Sequence, residues 1–159
     1  MPHGGFLDRI EEGAHRGTAG FFLQLHVPQR GDRGLEVAQA GPGLGVVAAD
    51  FNADGWQDLY VANDGKANQL WLNRGGESFS EDALFDGAAV NRAGRAEASM
   101  GIDAGDFDND GDEDLFVTHL MGETNTLYVN DGKGIFEDRT IALGLAVRSF
   151  PYTAFGTAW

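Results

Sequence analysis

Asp50, Asn52, Asp54 and Asp58 place side-chain oxygens at positions 1, 3, 5 and 9 of one short loop. Asp106, Asp108, Asp110 and Asp114 repeat that spacing 56 residues later. Gly55 and Gly111 hold position 6, where a sharp turn needs a residue free of a Cβ, and the Trp56 and Asp112 carbonyls stand at position 7. Alternating oxygen donors wrapped round a glycine turn suit a hard cation. Calcium takes six to eight oxygens, and magnesium prefers to keep its waters. The expected chemistry is therefore two Ca2+ sites. Four carboxylates at the side-chain positions of the second loop, against three and an amide in the first, predict tighter binding at the second.

Nine of the 25 acidic residues lie in these two loops, eight of them aspartates, and the formal net charge is −14. Like charges so close repel unless a cation sits among them. An EF-hand would put a bidentate Glu at position 12 and helices on both sides. Position 12 is Val61 or Val117, and the residues leading to it are strand-like, so that reading is disfavoured. Asp, Asn and Gly also favour ordinary turns, but two loops in register argue for ligation.

The loops belong to a longer repeat. Gly45–Gly55 aligns with Gly101–Gly111, and Asp58–Val61 with Asp114–Val117. Asn68–Asn73 and Phe79 then align with Asn125–Asn130 and Phe136 after a one-residue insertion. Short aromatic and branched runs such as Leu59–Val61 and Leu70–Leu72 alternate with Gly/Asn/Asp turns, among them Asn63-Asp64-Gly65 and Asn130-Asp131-Gly132. Each unit reads as strand, metal loop, strand, turn, strand, turn, strand. About four short strands per repeat of roughly 50 residues predict an all-β partial β-propeller. The expected organisation is a repeat tail at 1–14, an atypical insertion at 15–44, repeats at 45–100 and 101–155, and the start of a further repeat at 156–159. Asp86–Ala98 reads as a loop or short helix.

The motif Asp-x-Asp-x-Asp-Gly-x-x-Asp-Leu, then Asn-x-Leu-Tyr/Trp-x-Asn, then Phe-x-Asp, resembles the FG-GAP/VCBS repeat. The closer resemblance is to the group similar to cartilage acidic protein, whose bacterial members often carry an ASPIC/UnbV domain. Gly45–Asp138 carries the likeness; residues 10–40 do not, and no ASPIC/UnbV segment is seen. The resemblance implies antiparallel propeller blades, calcium at the ten loop positions named above, export to an extracellular or periplasmic site, and no catalysis. It also implies further blades, so the chain reads as a piece of a longer protein or as one that assembles with other copies.

Other functions find little support. No basic stripe faces nucleic acid, and Phe21–Val27 is too short to span a bilayer. The N-terminus lacks a signal-peptide pattern, and there is no cysteine for disulfides or thiolate metal sites. His119, Ser99, Glu97 and Glu123 show no catalytic spacing, so no catalytic or organic-cofactor residue is expected. Trp56, Trp71 and Tyr128 read as blade packing, and Asp103 as a solvent-facing or supporting group beside the second loop. The reading is a non-catalytic calcium-binding segment with an adhesion or ligand-binding role, its protein or glycan partner unidentified. The alternatives are an accessory domain of a secreted enzyme acting on glycans or lipids, and a lectin-like propeller.

Overall fold

The computed structural model describes the backbone of residues 10–12, 22–27 and 35–40, and residues 41–159 with their side chains. It is all-β. Strands β1 (Ile10–Glu12), β2 (Phe22–Val27) and β3 (Leu35–Ala40) form one antiparallel sheet in chain order. Most of the repeat tail expected at 1–14, apart from β1, and part of the insertion expected at 15–44 lie outside the described residues. β2 and β3 fall within that insertion.

The two repeats form the two four-stranded sheets. The first is β4 (Gly43–Ala49), β5 (Asp58–Asn63), β6 (Gln69–Asn73) and β7 (Phe79–Glu81), paired in that order. The second is β8 (Ser99–Gly105), β9 (Asp114–His119), β10 (Thr126–Asn130) and β11 (Phe136–Asp138), likewise in chain order. All pairings are antiparallel, and β4 and β8 carry the same irregularity, at Gly43/Gly45 and Ser99/Gly101. Each meander is a propeller-type blade. Residues 82–98 connect them through turns, without a helix. The four-residue helix α1 (Ala146–Ser149) follows β11 and had no counterpart in the sequence reading.

Strand alternation sets the core. Tyr60 and Ala62 of β5 point with Leu70 and Leu72 of β6 toward the second sheet. They meet Leu115, Val117 and Tyr128, with Phe51 and Phe136 at one end. Phe51 and Phe136 pack edge to face, centroids 5.8 Å apart and planes at 72°. Leu59 and Val61 point to the opposite face, with Val46, Ala48, Trp71 and Phe79. The inner strands β4 and β8 come close because Gly45 has no side chain; a Cβ there would lie 2.8 Å from Ile102 Cγ2. Tyr60 Oη donates to the Ala88 carbonyl at 2.7 Å, tying the connector to the core.

Residues 150–159, including the segment expected to open a further repeat, form no strand but lie against β8. Trp159 N–H donates to Asp103 Oδ2 at 2.8 Å, and the Trp159 ring lies over Gly105 beside Phe107 and Phe116. Asp103 thus supports the C-terminal segment rather than the second loop.

Candidate metal loops

Both loops join the inner strand of a blade to its second strand: residues 50–57 link β4 to β5, and residues 106–113 link β8 to β9. Their backbones match. Position 4 is left-handed in each, at Ala53 (φ 57°) and Asn109 (φ 63°), and so is position 6, at Gly55 (φ 87°) and Gly111 (φ 99°). The turn folds the loop amides inward. Asp54 N–H and Gly55 N–H donate to Asp50 Oδ1 and Oδ2 at 3.0 and 2.8 Å. Asp110 N–H and Gly111 N–H donate to Asp106 Oδ1 and Oδ2 at 3.1 and 3.2 Å. Position 1 is therefore oriented by its own loop before any cation is considered.

Position 9 is held by the sheet. Asp58 is buried, with Oδ2 accepting from Phe51 N–H (3.0 Å) and Oδ1 from Asn73 N–H (2.8 Å). Asp114 repeats this with Phe107 N–H (2.8 Å) and Asn130 N–H (2.9 Å). Burial pushes the Asp58 carboxyl up to about 7, partly opposed by its two backbone hydrogen bonds and assisted by Asp54 and Asp50. Burial also raises Asp114. A buried carboxylate so disfavoured as an anion suits a site where positive charge offsets the penalty.

In the second loop, carboxylate oxygens of Asp106, Asp108 and Asp114 lie within 4.8 Å of one another. Asp110 stands outside this group, and its Oδ1 accepts from Asp112 N–H at 3.3 Å. The Asp112 side chain, unconsidered in the sequence reading, has a buried Oδ1 without a partner. Its carboxyl is raised to about 6 by burial, then by Asp110 and Asp114. Among the described residues the carboxylates of Asp50, Asp54 and Asp58 do not form so close a group. There Asn52 Oδ1 accepts from Asp54 N–H at 3.1 Å, and Asp54 Oδ1 from Trp56 N–H at 2.9 Å. Trp56 packs its ring over Gly76. The donor set fits a hard cation: Asp106, Asp108, Asp110 and Asp114 with the Asp112 carbonyl, and Asp50, Asn52, Asp54 and Asp58 with the Trp56 carbonyl.

Sequence spacing missed a second polar cluster at the other end of the second blade. Ser99 Oγ lies 3.2 Å from His119 Nε2, and Glu97 Oε2 lies 3.8 Å from the same nitrogen. Glu123 Oε2 accepts from Ala98 N–H at 2.8 Å. A hydrolytic relay needs the carboxylate on one imidazole nitrogen and the hydroxyl on the other. Here both approach Nε2 and Ser99 is fully buried, so the cluster has the geometry of a structural contact. Only its sequence-distant pairing, 20 residues from Ser99 to His119, hid it.

Among the described residues no helix is long and apolar enough to cross a membrane. No curated protein matches the chain significantly. From Asp50 of the first loop to the strand that follows the second, residues 50–117 match the family model of the FG-GAP-like repeat.

Proposed function

We propose that this chain is a calcium-stabilised, non-catalytic β-propeller segment of an exported protein, akin to the cartilage-acidic-protein-like group, with an adhesion or ligand-binding role. The observation that carries the calcium reading is the convergence of Asp106, Asp108 and Asp114 at one loop, with Asp114 anchored in the sheet by two backbone amides. Calcium would supply the positive charge that these carboxylates lack. The chain's residues supply the rest: the loop amides hold the position-1 carboxylate, and position 9 ties the loop to β5 or β9. A cation held only by the native state stabilises it by mass action, at about 2.7 kcal/mol per site when free calcium is 100 times the Kd. Thermal unfolding in calcium and in EGTA tests this. A higher Tm in calcium supports the reading, and superimposable curves refute it.

The lectin-like alternative draws on one observation. A cavity of about 420 Å³ lies at the end of the first blade away from its loop, lined by Asn63, Lys66, Asn68, Gln69 and Glu81 among others. Amide, ammonium and carboxylate groups together suit a hydroxyl-rich ligand. A glycan array probed with the protein and with Gln69→Ala tests it. Array signal lost in the variant supports it, and no signal from the parent protein removes it.

A further inference from the structure

We propose that Asn130 couples the two acidic loops, so that a cation in one tightens binding in the other. The proposal rests on the calcium reading above and extends it from two sites to a linked pair.

Asn130 ends β10 in the second blade and is 5% exposed. Its Nδ2 donates to the Phe51 carbonyl of the first loop at 2.8 Å and to the Glu113 carbonyl of the second at 3.1 Å. Its backbone N–H donates to Asp114 Oδ1 at 2.9 Å. Its Oδ1 accepts from Gly132 and Gly134 N–H, so the amide orientation is fixed by the following turn. On the other side, Phe51 N–H donates to Asp58 Oδ2 at 3.0 Å. The position-9 carboxylates of both loops are therefore joined through three hydrogen bonds: Asp58 to Phe51, Phe51 to Asn130, and Asn130 to Asp114.

Phe51 lies between Asp50 and Asn52, the ligand positions 1 and 3 of its loop. Ordering those two side chains fixes the residue that joins them and steadies its carbonyl against Asn130. Asn130 in turn holds the carboxylate and a backbone carbonyl of the second loop. Order imposed at one loop is then already present when the other binds, which makes the coupling positive and, by linkage, reciprocal. A connection that narrows to one amide hydrogen bond across the blades sets the scale at about threefold to tenfold in affinity.

Gly55 N–H and Gly111 N–H each donate to the position-1 carboxylate of their own loop, so their amide NMR signals report the loops separately. Calcium titrations would follow both signals in the full chain. Emptying the first loop with Asp50→Ala is expected to weaken the Gly111 transition by about threefold to tenfold, and by less than twofold when Asn130→Ala is already present. Emptying the second loop with Asp106→Ala should weaken the Gly55 transition by the same factor. This reciprocal measurement stands even if Asn130→Ala does not fold. A Gly111 transition indifferent to Asp50→Ala overturns the coupling while leaving calcium binding intact. Equal coupling with and without Asn130 overturns its assignment to that residue. If neither glycine signal responds to calcium, the calcium reading itself fails and the coupling falls with it.

Discussion

Replacing His119 by Asn should make the fold less sensitive to acid. His119 is 1% exposed, and burial holds its imidazole neutral, lowering its pKa to about 4. The groups facing it are Ser99 Oγ, the Glu97 carboxyl, itself raised by burial, the Thr124 carbonyl and the more distant Asp138. As pH falls from 6.5 to about 4 the unfolded histidine takes up a proton that the native one refuses, so stability falls with pH across that window. The loss attributable to this residue is about 3 kcal/mol, or roughly 6–12 °C in Tm for a chain of this size. Asn is a fitting replacement because the first blade uses it. Asn63 aligns with His119, its N–H bonds Asn68 Oδ1 at 2.9 Å, and its Nδ2 donates to the Ala67 carbonyl at 2.8 Å. His119 N–H bonds Asn125 Oδ1 at 3.0 Å in the same way. Any packing cost of the smaller side chain is independent of pH. Urea unfolding of both proteins at pH 7.5 and pH 4 should therefore show the parent losing about 3 kcal/mol more than His119→Asn. Parallel losses, or a native His119 titrating above pH 6.5 by NMR, would refute the reasoning.

Other outcomes follow from the same geometry. Phe51→Ala removes a fully buried ring that packs on Phe136 across the blades, and should cost about 3–5 kcal/mol in denaturant unfolding. Ala53→Asn places at a left-handed position the residue type that its counterpart Asn109 already uses, and should gain about 0.5–1 kcal/mol by the same assay. With single loops disabled in turn, the second loop should bind calcium more tightly than the first in calorimetry, because it offers one more ligand carboxylate.

The blades were legible in the sequence because their information is local. Period-two alternation placed β5, β6, β9 and β10, and the repeated Asp/Asn/Gly spacing placed both loops. What escaped depends on contacts between distant residues. Asn130 reaches Phe51 across 79 positions, and the Ser99–His119–Glu97 cluster forms only when β8 and β9 pair. One signal for Asn130 was available. It recurs as Asn73 at the same place in the other repeat, where it likewise braces a position-9 carboxylate through its N–H. The left-handed turn at Ala53 was hidden because alanine rarely adopts it, whereas Asn109 marks the same turn openly. Helix α1 is only four residues long, too short to leave a periodic pattern. The partial burial of the Asp112 carboxyl arises from the turn at Gly132, which approaches it from the far end of β10.

If each acidic loop holds one calcium ion, calorimetric titration of the calcium-free protein should give two ions per chain, reduced to one by Asp106→Ala with Asp108→Ala and to the other one by Asp50→Ala with Asp54→Ala. No calcium-dependent heat, or a stoichiometry unchanged by either pair of substitutions, would contradict it.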